Sequence, residues 1–257
     1  MPPECPEGWT VGAPDFVICG TPKSGTTRWR SLIAAHPDVH MAAQELHFFD
    51  DIAGRWIDPD DIALYHQFFP RPQGGIAGEK TPAYLSFFWM ARMLVEAAPD
   101  TKLIVSLRDP VDRYLSARMF AERTRERALA DGVKPGRFER DTVVQCFERG
   151  EYARHMRWLF ATFPPDRIMV LQFEACLAEP HEQLRRTYEY LGLAPFEPGP
   201  EHFERQVNPT QKSPLGETEP ERLALIRELY RPDVLQLKEL VPELDLSLWR
   251  NFADLAS

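Results

Sequence analysis

Lys23 stands in the stretch GTPKSGTT at residues 20–27, where glycines at 20 and 25 bracket it and two threonines follow. Between a strand and a helix, the backbone N–H groups of such a glycine loop and the helix dipole favour an anion. Such a loop suits a phosphate group. The common nucleoside-triphosphate loop is G-x-x-x-x-G-K-[ST], with its lysine after the second glycine. Here Gly20 and Gly25 keep that spacing, but Thr26 fills the usual place of the lysine, which stands at position 23 instead. Taken alone, the stretch also reads as an ordinary glycine turn. Arg108 and Ser116, in RDPVDRYLS, form a second candidate anion pair. The plain alternative is an Arg108 matched to Asp109 or Asp112, with Ser116 as a simple helix residue.

Both sets need elements that bring them together. The run FVIC at 16–19 is apolar and stops at Gly20, and Thr26 to Ala35 is helix-compatible until His36 and Pro37 break it, which predicts strand, loop, helix. Residues Lys102 to Leu107 repeat the layout: the run ends at Arg108, Asp109 can cap a helix, and Pro110 suits its first turn. That helix is predicted to run past Phe120. A third strand is predicted from Arg167 to Phe173, after an amphipathic segment with Tyr152, Met156, Leu159 and Phe163 at helical spacing, and a fourth near Ile76 to Glu79. Strands apolar throughout and separated by helices predict an α/β fold, with a central parallel sheet flanked by helices on both faces. A parallel sheet delivers its strand ends to one rim, so the loop at 20–27 and Arg108 can face one ligand. Further helices are predicted at His181 to Leu191, ending at Gly192, and at Thr218 to Leu240, opened by the capping pair Thr218 and Glu221 and broken or kinked at Pro232. The polar stretch from Arg123 to Arg140 reads as an exposed excursion, and Trp29, Trp89, Trp158 and Trp249 read as core anchors.

Composition narrows the partners. The chain has 257 residues, 44% of them hydrophobic, enough for a substantial core, and a formal net charge of −9. Binding a polyanion draws on many surface Lys and Arg residues, so nucleic acid and highly sulfated polymers are poor candidates. A local basic pocket in an acidic chain still suits a small anionic ligand. No apolar run approaches the roughly 18 residues of a membrane span, and the start MPPECPE lacks the pattern of a secretory signal, so a cytoplasmic protein away from membranes is expected. Cys5, Cys19, Cys146 and Cys176 are scattered without paired spacing and read as reduced thiols.

The loop at 22–27 and the pair Arg108 and Ser116, at this separation and on these elements, resemble the motifs of sulfotransferases that use 3′-phosphoadenosine 5′-phosphosulfate. The resemblance extends through GEKTPAYL at 78–85 and LQFE at 171–174, and implies a single P-loop-like sulfotransferase domain over residues 1–257. It implies that Lys23, Ser24, Gly25, Thr26 and Thr27 hold the 5′-phosphosulfate and that Arg108 and Ser116 hold the 3′-phosphate. The stretches QELHFFD at 44–50 and EKTPAYL at 79–85 are similar to the heparan sulfate branch of the family, which points to Glu45 as the base that takes the acceptor proton, with His47 as its competitor. An unperturbed Glu is a weak base near neutral pH, whereas a His needs less tuning. The same likeness implies catalytic and acceptor-side roles for Lys80 and acceptor contacts from Asp50 and Tyr84. Lys212, in NPTQKS at 208–213, is the candidate for a late basic contact to the nucleotide.

Sulfuryl transfer is an in-line displacement that needs a base on the acceptor side and positive charge on the leaving side, where Lys23 is placed. A transferring sulfuryl group carries less negative charge than a phosphoryl group, so no metal is required. The acceptor expected for an acidic chain is a small metabolite or glycoside, sulfated on a hydroxyl or, less readily, an amine. A nucleoside or small-molecule kinase and a noncatalytic nucleotide-binding protein are the alternatives; the displaced Lys23 and the Arg108/Ser116 pair weigh against the first, and Glu45, His47 and Lys80 against the second.

Overall fold

Among the described residues five strands make one parallel sheet: β1 (Phe16–Gly20), β2 (Val39–Met41), β3 (Ile76–Lys80), β4 (Lys102–Leu107) and β5 (Ile168–Gln172). Their order is β2-β3-β1-β4-β5, and every neighbouring pair runs parallel. The computed structural model describes residues 1–50, 52, 54–132, 138–204 and 220–256. Between and after the strands lie α1 (Thr26–Ile33), α2 (Pro59–His66), α3 (Phe88–Ala97), α4 (Pro110–Ala130), α5 (Phe138–Glu148), α6 (Tyr152–Thr162), α7 (Phe173–Ala178), α8 (Pro180–Leu191), α9 (Pro200–Glu204) and α10 (Pro220–Leu240).

Strand side chains alternate between two cores because successive Cβ atoms point to opposite sheet faces. Phe16, Ile18, Ile104, Met169 and Leu171 pack with Trp29 and Leu32 of α1 and Leu184 and Tyr188 of α8. Val17, Cys19, Leu103 and Val105 pack with α3, α6 and α10 on the other side. Both faces are therefore covered, as apolar strands without polar alternation require. From β1 the chain moves one way to β2 and β3, then returns past β1 to β4 and β5. The crevice beyond the carboxyl ends of β1 and β4 is thus the switch point at which open parallel sheets bind ligands.

Gly78 fixes the spacing of β1 and β3. A Cβ there would lie 2.6 Å from the Phe16 carbonyl oxygen and 2.7 Å from its ring, and backbone cannot yield as a flexible side chain can. Gly78→Ala is expected to destabilise the protein by about 1–3 kcal/mol or more, read from the urea midpoint.

Several elements differ from the sequence expectation. β2 is a three-residue strand with no periodic signature, and α2 and α3 form in segments left unassigned. The polar stretch from Arg123 is largely exposed where it is described, as expected, but α4 carries it to Ala130, with the charges on solvent-facing turns. α10 runs through Pro232 without a break, because Ile226 and Tyr230 before it and Val234 and Leu237 after it keep helical spacing into the same core. Thr218 lies outside the described residues. Trp29 and Trp249 are buried and Trp89 partly so, but Trp158 is 51% exposed, because it projects from α6 away from Met156 and Leu159. All four cysteines are free thiols.

Candidate active site

The loop that leaves β1 is stitched to β4. Thr21 N–H donates to the Ser106 carbonyl at 2.9 Å, and Ser106 Oγ donates to the Ser24 carbonyl at 2.6 Å. Thr21 Oγ1 and Ser24 Oγ are 2.6 Å apart. Gly25 caps α1 with φ 77, and a Cβ there would meet the Phe173 ring at 2.8 Å. Only glycine satisfies both the left-handed backbone and the lack of room. With Thr26 and Thr27 opening α1, the helix presents its free N–H groups and positive dipole end at the loop.

Lys23 is partly buried, and its Nζ lies 3.3 Å from the centroid of the Phe120 ring. Burial pushes its pKa down to about 8. Ser116 lies on α4 one turn before Phe120, hence on the helix face that meets Lys23. Arg108 follows β4 directly; its Nη1 donates to the Lys23 carbonyl at 3.1 Å, its guanidinium stands 4.7 Å from the Phe173 ring centroid, and its Nε is buried without a partner among the described residues. Neither aspartate that could have neutralised it is free. Asp109 caps α4 by accepting from Val111 and Asp112 N–H and also holds Asn251, and Asp112 pairs with Arg250 at 2.5 Å. The loop, Arg108 and Ser116 thus converge on the switch point.

The second half of the site is a run of contacts from the loop to the segment after β2. Lys80, the last residue of β3, places Nζ 3.2 Å from Thr27 Oγ1 and 2.5 Å from Glu45 Oε1. Glu45 Oε2 lies 3.3 Å from His47 Nε2, and His47 Nδ1 lies 2.8 Å from Asp50 Oδ2. Lys80 is almost enclosed, while the side chains of Glu45 and His47 are 38% and 47% exposed, so the carboxylate and imidazole face solvent from a buried cation. Asp50 keeps its other oxygen buried and without a partner among the described residues.

Tyr84 differs from expectation. It is fully buried, and its hydroxyl accepts the Phe48 N–H at 2.9 Å, so it stands behind the 45–50 segment and supports it rather than facing an acceptor. Lys212 lies outside the described residues. Sequence reasoning did not single out Ser106, Phe120 or Glu79. A serine in the apolar run KLIVSL, an aromatic four residues after Ser116 and an acid inside a strand were the available signals.

Residues 13–228 match the family described as the sulfotransferase domain. The chain belongs to that family. Among curated relatives, this sulfotransferase-family chain is 30% identical over 187 residues to the Mus musculus heparan sulfate glucosamine 3-O-sulfotransferase 3A1, covering 70% of this chain and 46% of the relative. It is 32% identical over 188 residues to the Homo sapiens heparan sulfate glucosamine 3-O-sulfotransferase 6, covering 70% and 52%. The alignments thus span about half the length of these relatives. Among solved structures, the sulfotransferase from Alicyclobacillus acidocaldarius superimposes with a TM-score of 0.69 at 25% identity, over 93% of this chain and 100% of that one. The sulfotransferase domain of the Synechococcus PCC 7002 olefin synthase gives 0.56 at 17% identity over 94% and 98%, a likeness of fold. The parallel sheet with a phosphate-type loop after β1 is the architecture shared with these sulfotransferases.

Proposed function

We propose that this chain binds 3′-phosphoadenosine 5′-phosphosulfate across the loop at 20–27 and Arg108 and Ser116, and catalyses transfer of the sulfuryl group to an acceptor hydroxyl beside Glu45. The single observation that carries the reading is Lys80, whose ammonium touches both Thr27 of the anion loop and the carboxylate of Glu45. One cation thereby joins the donor side to a candidate base.

The donor supplies a sulfuryl group whose sulfur–oxygen bond to the 5′-phosphate breaks as the acceptor oxygen bonds to sulfur. Glu45 takes the acceptor proton; Lys80 and His47 hold its two oxygens and so aim it. Asp50 fixes the imidazole from the far side and leaves Nε2 turned to Glu45. Lys23 provides charge for the departing phosphate oxygen, and Arg108 Nε, on the nucleotide side and without a partner among the described residues, is a donor for a second phosphate. These cations replace the charge that a metal supplies in phosphoryl transfer, so turnover is expected to persist in excess EDTA.

The acceptor we propose is a small metabolite or glycoside of low charge. The relatives named above act on heparan sulfate glucosamine by name, which supports a sugar hydroxyl, while the net charge of −9 argues against a long polyanion. Strong retention on heparin with sulfation of that polymer would overturn this part.

Calorimetry with 3′-phosphoadenosine 5′-phosphate and with ATP and magnesium tests the donor, and labelled-sulfate transfer into cell extracts identifies the acceptor. Tight binding of the bisphosphate and a labelled product are expected; tight binding of ATP alone would replace this reading with a kinase. The bisphosphate titration also has a pH signature. Lys23 is a cation below about 8 and loses its proton above it, so affinity is expected to fall between pH 7 and 9, by at most about tenfold per unit. Lys23→Arg, which stays charged, should flatten that slope.

A further inference from the structure

We infer that Glu79 is a positioning residue for the reaction, acting through Thr81 to fix the backbone that carries Glu45 and His47. The inference rests on the proposed role of Glu45 but reaches residues outside the donor and acceptor contacts.

Glu79 is fully buried in β3, in register with Val17 of β1, and has no salt bridge among the described residues. Burying a carboxyl group is costly unless its oxygens are satisfied. Two neutral hydroxyls satisfy it: Tyr65 Oη from α2 donates to Oε1 at 2.5 Å, and Thr81 Oγ1 donates to Oε2 at 2.7 Å. The second contact has a consequence beyond satisfying the acid. A threonine hydroxyl has one proton; given to Glu79, it leaves the lone pairs of Oγ1 to accept, and the Leu46 N–H donates to them at 3.1 Å. A donor aligned in such a chain also becomes a better acceptor. Direction therefore runs from the Leu46 amide through Thr81 to Glu79.

Leu46 lies between Glu45 and His47. The amide on the other side of His47, Phe48 N–H, is held by Tyr84 Oη at 2.9 Å. Two backbone donors flanking His47 are thus fastened to residues just beyond the end of β3, and His47 itself adopts φ 51, a left-handed conformation that is uncommon outside glycine and has to be held by its surroundings. Alternation along the strand completes the arrangement. Lys80 points to one side and grips the Glu45 carboxylate, while Glu79 and Thr81 point to the other, where Thr81, held by Glu79, grips the backbone of the next residue. Three consecutive residues hold the base by its side chain and by its chain path.

Thr81→Val keeps the shape of the side chain and removes the acceptor for the Leu46 amide; Glu79→Gln keeps the shape and removes one acceptor from the relay. Each is expected to lower kcat about tenfold or more, leave the Kd for 3′-phosphoadenosine 5′-phosphate within about twofold, and speed hydrogen exchange at the Leu46 amide without a change in α1. Thr81→Ser, which restores the hydroxyl, should return kcat and protection towards the starting values. Exchange is read without turnover, so it separates this inference from the assignment of Glu45: faster exchange with kcat unchanged would reject the positioning role, and unchanged exchange in whichever variant folds would reject the relay itself.

Discussion

Lys23→Ala is expected to lower kcat by about 100- to 1,000-fold, the scale on which removing one group that stabilises developing negative charge acts. In the proposed reaction that charge develops beside the ammonium, and the loop backbone around it is fastened to β4 by Thr21, Ser24 and Ser106, so little reorganisation is needed when charge moves. Partial burial makes the effect larger than for a solvated lysine, because a cation shielded from water interacts more strongly with an approaching anion. Affinity for 3′-phosphoadenosine 5′-phosphate should weaken far less than kcat, since Arg108 and the α1 amino end remain. A variant retaining most of its kcat would remove Lys23 from the chemistry. Melting temperature should change little, because Lys23 makes no ion pair among the described residues and its ring contact with Phe120 is partly open to solvent.

Glu45→Gln should lower kcat by about 100- to 10,000-fold, the range for loss of a positioned base. Glutamine has nearly the same shape and can still meet Lys80 and His47 with one atom each, so orientation is largely retained while the ability to take a proton is lost. The result also discriminates between Glu45 and His47. If Glu45→Gln keeps more than about a tenth of the rate while His47→Gln does not, the imidazole is the base and Glu45 only orients it. A stability cost accompanies the first variant, because Lys80 is nearly enclosed and its carboxylate partner at 2.5 Å is neutralised. Removing one partner of a well-buried pair costs about 3–5 kcal/mol; Glu45 is 38% exposed, so water offsets much of that, and a loss nearer 1 kcal/mol is expected by thermal melting.

Much of this arrangement was legible in the residues because it depends on local signals. FVIC and KLIVSL are continuous apolar runs ended by a glycine and an arginine, so β1, β4 and the loops after them could be read from the chain. Asp109 and Pro110 announced the start of α4 for the same reason. The remainder depends on partners distant in sequence. β2 is only Val-His-Met, and pairing with β3 rather than any periodicity makes it a strand. Tyr84 lies in the same motif as Lys80, yet a short turn at 84–86 takes its ring behind the 45–50 segment. Pro232 carries a strong local preference that burial on both sides overrides. Nothing near Glu45 in sequence shows that its closest cation is Lys80, 35 positions away.

That cation has a thermodynamic consequence. Lys80 Nζ is shared between Thr27, at the start of α1, and Glu45, across the cleft. Whatever draws the ammonium towards α1 loosens it from the carboxylate, and the reverse holds. Occupancy of one half of the cleft therefore alters affinity in the other, and linkage requires the same factor in both directions. The two ligands are expected to bind as a coupled pair, and neutralising Lys80 should make their affinities independent.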